Sequence, residues 1–229
     1  MVNIYLVRHG KTMFNAIGRA QGWSDTPLTK DGEIGIIELG LGFAAQNIKF
    51  DLAFSSDSGR TIQTTGLILK YSENEEIPYE MDQRIREWCF GSLDGGYDGE
   101  LFDGVLPRTD AYHGKKQADL TYQDIANGLL EVDTAGWAEP WEVLSKRILD
   151  GFFDAAQKAE KLGAENIVIV SHGMTIATFI KLLAHDQPTF QGLDNGSVTH
   201  LTYSDGNFTI GEIGDMHYRQ LGREILDAE

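Results

Sequence analysis

The chain has one cysteine, Cys89, five prolines, and no apolar run long enough to cross a membrane. A single cysteine excludes an intrachain disulfide and fits a reducing compartment. So few prolines, with no low-complexity tract, argue against a disordered chain. Basic residues are scarce as well: 19 Lys and Arg stand against 35 acids, a formal net charge of −16. Such a surface repels nucleic acid and anionic membranes, so neither is expected as a partner. Any local cluster of arginines stands out against this background. The start Met-Val-Asn-Ile leads straight into a strand, without a basic stretch before a long apolar segment. No signal peptide is expected, and a cytoplasmic protein is the default. Neither G-x-x-x-x-G-K-[ST] nor a G-x-G-x-x-G after the first strand occurs, which argues against a nucleotide cofactor. The six histidines include no close H-x-x-x-H pair and there is no cysteine pair, so no metal site is expected.

What is present is a chain of 229 residues, long enough for a real core. Its organisation reads as a single domain, 1–229, with one acidic insertion. Residues 2–7, 52–55, 167–170, 198–203 and 208–213 read as strands, and Ile77-Pro78-Tyr79 as a short edge strand. Helices are expected from Thr29 as N-cap, over 58–71, from Pro140 to about Leu162, and over 174–183. Residues 11–28 look like a loop with a helical turn, and the tail from Met216 has no clear signal. Strands alternating with long helices point to a three-layer α/β/α sandwich with a mostly parallel central sheet. From 93 to 139 there are ten acids, three basic residues and seven glycines. This segment, with a short helix near Tyr122–Leu130, is expected to lie over the strand ends as a lid. An edge strand at 208–213 makes a homodimer a candidate assembly.

The chemistry gathers at strand ends. Asn3-Ile4-Tyr5-Leu6-Val7 runs into Arg8-His9-Gly10, and Ile167-Val168-Ile169-Val170 runs into Ser171-His172-Gly173. Ligands bind at such ends in open α/β sheets. Gly10 suits a backbone turning closely around a ligand. Arg60 opens a helix just after the strand at 52–55, and arginine forks and helix N-termini both favour phosphate oxygens. On spacing alone the alternative stays open: ordinary salt bridges for Arg8 and Arg60, and a satisfied core histidine for His9.

Further blocks follow in order: Leu6-Val7-Arg8-His9-Gly10-Lys11-Thr12 with Asn15; Gly22-Trp23-Ser24-Asp25-Thr26-Pro27-Leu28-Thr29 with Gly32; Ser55 to Thr64 around Arg60; Arg86-Glu87-Trp88-Cys89-Phe90-Gly91; Ser171-His172-Gly173; and Asn195-Gly196-Ser197. Together they resemble the histidine phosphatase superfamily, also called the phosphoglycerate mutase-like family. The resemblance implies that fold and a metal-independent phosphoryl transfer. His9 would be the nucleophile that becomes a phosphohistidine, and Glu87 the general acid and then base. Arg8, Arg60 and His172 would form the cationic pocket. The substrate-binding set it suggests also includes Lys11, Thr12, Asn15, Trp23 and Gly173. Two positions depart from the family pattern: Lys11, where an acid is frequent, and Ile34-Gly35, where glutamine-alanine is more usual. The second reads as a packing variation.

Both phosphatases and mutases share this chemistry; what differs is whether water reaches the phosphohistidine. The mutase block after the acid, with its arginine pair, is not matched by Gly95-Gly96-Tyr97-Asp98-Gly99-Glu100. Lys115-Lys116 does not align with that pair. Hydrolysis of a small phosphorylated metabolite is therefore the preferred expectation, with phosphoglycerate mutase the alternative and a non-catalytic phosphate-binding or interaction protein a remote one. Phe14, Trp23, Trp88, Phe90, Tyr97 and Tyr112 are candidate linings for an apolar leaving group.

Overall fold

The computed structural model describes residues 1–116, 119–185 and 192–228. Strands β1 (Val2–Arg8), β2 (Leu52–Ser55), β3 (Tyr79–Met81), β4 (Asn166–Ser171), β5 (Val198–Ser204) and β6 (Asn207–Ile210) form one sheet in the order β3-β2-β4-β1-β5-β6. Pairings among β3, β2, β4 and β1 are parallel, whereas β1–β5 and β5–β6 are antiparallel. The sheet is thus mixed, its antiparallel part being the hairpin read at 198–213. Asp205 and Gly206 turn that hairpin with φ of 52° and 82°, the left-handed pair that matches the twist of two strands.

Helices α1 (Met13–Ala16), α2 (Lys30–Ala45), α3 (Gly59–Tyr71), α4 (Tyr122–Val132), α5 (Trp141–Lys161), α6 (Gly173–Leu183) and α7 (His217–Asp227) complete the layers. Strand side chains alternate between two buried clusters, as the pleat requires. Ile4, Leu6, Ile167 and Ile169 face one cluster with Ile148 and Phe152 of α5 and Ile176 and Phe179 of α6. Val7, Ala53, Val168 and Val170 face the other with α2 and α3. In α5 the buried stripe runs through Leu144, Ile148, Phe152, Ala156 and Ala159, while Val143, expected on it, is 54% exposed.

Helix α2 begins as read, with the Thr29 hydroxyl accepting from Gly32 N at 3.0 Å. It packs directly on the turn after β1. A Cβ at Gly10 would sit 2.7 Å from Ile36 Cγ1, and one at Gly32 would sit 2.1 Å from the Lys11 carbonyl oxygen. Gly10 is therefore required by the approach of α2, which corrects the expectation that it makes room for a ligand.

The tail without a clear signal is α7, laid across α2. A Cβ at Gly42 would lie 1.9 Å from Tyr218 O, and one at Gly222 only 1.7 Å from Glu38 O. The buried Glu38 carboxylate accepts from Arg219 Nε at 2.8 Å and Arg223 Nε at 2.9 Å. Gly35, one of the two departures, leaves space for the Arg219 guanidinium, whose Cζ would be 2.7 Å from a Cβ there.

The segment 93–139 is not a loose cover. Leu101, Leu106, Ile125 and Leu129 belong to the same buried cluster as Ile4 and Ile169. Its beginning pairs with the loop after α1: Ala20 N donates to Gly96 O at 2.8 Å and Gly95 N to Ala20 O at 2.9 Å. Lys115 is tied to Asp124, so that half of the Lys115-Lys116 pair is taken up within the segment. Among the described residues no helix is long and apolar enough to cross a membrane.

The α2–α7 contact makes opposite predictions for two glycines. Gly222→Ala forces the helices apart and should cost on the order of 2–4 kcal/mol in urea unfolding. Gly66→Ala, on α3 with nothing within 4 Å of its Cβ position, should stabilise by up to about 1 kcal/mol through helix propensity. Equal effects at the two positions would contradict the close helix contact.

Candidate active site

The site is assembled by the register of two parallel strands. Arg8 lies opposite Ser171 across β1 and β4, and His9 N donates to Ser171 O at 3.0 Å. The residues that follow, His9 and His172, therefore leave the sheet side by side, with ring centroids 5.3 Å apart. Strand β2 flanks β4 on its other side, and Ser56 N donates to Val170 O at 3.1 Å. That brings Asp57, Ser58 and Arg60 to the same edge. A cavity of about 270 Å³ opens there, lined among others by Trp23, Ser58, Arg60, Arg86, Glu87 and His172.

His9 is buried, and its Nδ1 is 2.9 Å from the Gly10 carbonyl oxygen. A carbonyl only accepts, so Nδ1 carries the ring proton and Nε2 keeps its lone pair. Burial, followed by the charges of Arg60 and Arg8, pushes the His9 imidazolium well below its ordinary pKa. His172 shifts the same way, by burial and then by Arg60 and His9. Both rings are thus neutral near pH 7. Neutrality is what a nitrogen nucleophile needs.

Arg60 is fully buried. Its guanidinium donates to Ser24 O at 3.0 Å, Gly22 O at 2.7 Å and the Asp25 carboxylate at 3.0 Å. Arg8 donates to Leu193 O. Gly173 stands against it, since a Cβ there would be 3.2 Å from Arg8 Nε. Among the described residues, the buried side-chain nitrogens and oxygens without a hydrogen bond are Arg8 Nε, Arg60 Nε and His172 Nδ1. All three belong to this one site. Such groups are costly unless an acceptor meets them, and an oxyanion is a matching acceptor.

Glu87 is buried at the start of α6. Trp88 N and Thr175 N donate to Oε1, each at 3.0 Å, and Met174 N donates to Oε2 at 3.1 Å. Thr175 Oγ1 is also 3.0 Å from Oε1. Oε2 is the less engaged oxygen. The sequence left Arg84 and Arg86 as possible partners of Glu87. Instead Arg84 pairs with Asp82 and Asp154, and Arg86 donates from Nε, at 2.6 Å, and from Nη2 to the two carboxylate oxygens of Asp57.

The remaining sequence candidates divide. Asn15 Oδ1 accepts from Thr12 N at 3.2 Å and Asn195 Nδ2 at 3.3 Å, which orients its amide. Trp23 lines the cavity and its indole N–H donates to Glu87 O at 3.0 Å. Thr12 is fully buried, caps α1 and donates to Gln21 Oε1 at 2.6 Å, so its hydroxyl is committed to the loop. Lys11 lines a different cavity, of about 420 Å³, with Asp31, Asp194 and Arg219. Of the sequence candidates, Trp23, Arg60, Glu87 and His172 lie on the lining of the 270 Å³ cavity, and Arg8, His9, Lys11, Thr12, Asn15 and Gly173 do not.

Several supporting residues had no signal of their own. Asp25 holds Arg60, and Ser58 Oγ lies 3.5 Å from His172 Nε2. Arg147 donates to the carbonyls of Arg84, Arg86 and Glu87, each at 2.9 Å, while Glu139 grips it from the other side. Asp25 stood inside a motif block; Arg147 is an arginine on a helix face, indistinguishable from a solvated one. Among the described residues no group of three His, Cys, Asp or Glu is placed to hold a metal ion.

The electrostatics predict a silent pair in an NMR titration of the imidazoles. With no ligand added, His9 and His172 should show no midpoint near 6.5, and both should still be neutral at about pH 6. A midpoint near 6.5 for either ring would contradict the buried cationic setting.

The model for the histidine phosphatase superfamily (branch 1) matches residues 4–216. A 2,3-bisphosphoglycerate-dependent phosphoglycerate mutase of Streptococcus mutans is 29% identical over 199 residues, covering 79% of this chain and 83% of its own. A broad-specificity phosphatase of Saccharomyces cerevisiae is 26% identical, covering 99% of this chain and 91% of its own. The crystal structure of a phosphoglycerate mutase from Bacillus anthracis is similar with a TM-score of 0.90 at 36% identity, over 97% of this chain and 96% of that one. The central sheet, its flanking helices and the sequence match agree, and this chain belongs to the histidine phosphatase superfamily.

Proposed function

We propose that the chain hydrolyses a small phosphomonoester through a phosphohistidine on His9. Nε2 of His9 attacks phosphorus in line, the P–N bond forms and the ester P–O bond breaks. Glu87 gives a proton from Oε2 to the departing alkoxide. It then takes a proton from water as the water oxygen attacks phosphorus and the P–N bond breaks. Arg8, Arg60 and His172 stabilise the equatorial oxygens, and the Asn15 amide adds a donor. Gly173 leaves room for the Arg8 guanidinium.

The observation that favours hydrolysis is the state of the cations. Arg60 is committed to the phosphoryl site and Asp25, Arg86 to Asp57, and Lys115 to Asp124. Among the described residues, the arginines lining the cavity are Arg60 and Arg86, and each is already paired with an aspartate. The mutase reading draws on the Bacillus anthracis structure, which is similar over nearly the whole chain. It also draws on the Streptococcus mutans relative.

A metabolite panel assayed with EDTA, beside a phosphoglycerate mutase assay with and without 2,3-bisphosphoglycerate, separates the two. Hydrolysis should exceed mutase turnover; the reverse order would sink the phosphatase reading. His9→Ala should lower kcat/KM on the order of 10⁴-fold or more and abolish covalent phosphate labelling. Glu87→Gln should lower kcat about 10²–10⁴-fold for alkyl esters. The loss should be smaller for 4-nitrophenyl phosphate, whose leaving group needs little protonation. Equal losses for both esters would remove Glu87 from the role of acid.

A further inference from the structure

A second cavity, of about 660 Å³, adjoins the first and is lined by Trp23, Ser24, Cys89, Ser92, Asp94 and Trp137. Trp23 belongs to both linings. Of the six aromatics read as candidate linings, Trp88 and Phe90 are core residues instead. Trp137, not singled out from the sequence, is 68% exposed, and Trp23 is 47% exposed. Large exposed indoles flanking one hollow are uncommon on a surface without a binding role.

The hollow is built rather than incidental. The Asp133 carboxylate accepts from Ser92 N at 2.7 Å, Trp137 N at 2.6 Å and Ala138 N at 2.7 Å. That single side chain ties the turn carrying Trp137 to the residue on the opposite lining. Asp94 takes the N–H groups of Gly22, Trp23 and Ser24, so its oxygens are engaged in the loop. Among the described residues no Lys, Arg or His lines the hollow. A second anionic group would find no partner there.

Its direction follows from Glu87. The leaving oxygen must lie at the proton donor, and Trp23 is bonded to the Glu87 carbonyl. Glu87 lines the first cavity, and Trp23, which lies on both linings, is where the second cavity borders the one that holds the proton donor. We propose that this hollow is the leaving-group subsite, and that it takes a neutral, ring-bearing alcohol stacked against Trp23 and Trp137. The volume suits a body of one or two rings. The proposal rests on the phosphatase reading and names its substrate class.

The test compares 1-naphthyl phosphate with glycerol 2-phosphate in the wild type, Trp137→Ala and Trp137→Phe. Trp137→Ala should lower kcat/KM for the naphthyl ester about tenfold, mostly through KM, and leave the glycerol ester within about twofold. Trp137→Phe should restore much of the loss. An unchanged glycerol ester also shows that the variant is folded. Equal losses on both esters, or none on either, would overturn the subsite. If the wild type hydrolyses neither ester, the phosphatase reading fails. The subsite is then read by titrating 1-naphthol against tryptophan fluorescence. Binding that weakens about tenfold in Trp137→Ala supports it, and no quenching, or equal quenching in both proteins, overturns it.

Discussion

The in-register parallel pairing of β1 with β4 is the constraint on which the rest depends. Their amide ladder runs from Asn3 opposite Asn166 to Arg8 opposite Ser171, between strands more than 150 residues apart in sequence. A slip of one residue would turn every apolar side chain to the wrong face, so burial on both faces enforces the register. With the register set, His9 and His172 emerge together. Helix α6 then starts beside them, and its first N–H groups receive Glu87. The two flanking cores, the paired histidines and the acid are consequences of one ladder.

The site inverts the electrostatics of the rest of the molecule. A chain of net charge −16 keeps a buried arginine, a partly buried one and two buried histidines at one sheet edge. The protein meets part of the cost of burying charge with Asp25 and with backbone carbonyls. The remainder stays as the three nitrogens without partners. The same burial keeps the histidines neutral. Around this centre the acids that looked like a repelling lid have structural uses. Asp94 binds the Trp23 loop, Asp124 takes Lys115, and Asp133 fixes the Trp137 turn.

Much of the fold was legible because buried parallel strands are nearly unbroken apolar runs, and Ile167–Val170 is such a run. The helix cap at Thr29 was legible because a hydroxyl before a helix has a specific use. Helix α7 was not, because its one fully buried residue is Gly222 and its anchor is a carboxylate on another helix. Its aromatic contact is Tyr218, whose ring lies 4.7 Å from that of Phe43 on α2, and one tyrosine does not make a periodic stripe. Trp88 and Trp137 show the same limit: both are indoles on irregular segments, yet one is 1% exposed and the other 68%.

The sequence by itself determined the chemistry carried by the chain: Arg8-His9-Gly10, Arg60, Glu87 and Ser171-His172-Gly173 in family order. It also determined the layers, since strand and helix periods are local properties of the chain. Only the tertiary structure decided how those groups act together. It set the Gly10 carbonyl against Nδ1 of His9, committed the Thr12 hydroxyl to Gln21, and tied Arg86 to Asp57. It also opened the hollow between Trp23 and Trp137. The physical reason is range. Backbone preference and burial pattern act over a few residues, whereas hydrogen-bond partners, protonation and cavity shape depend on groups brought together from opposite ends of the chain.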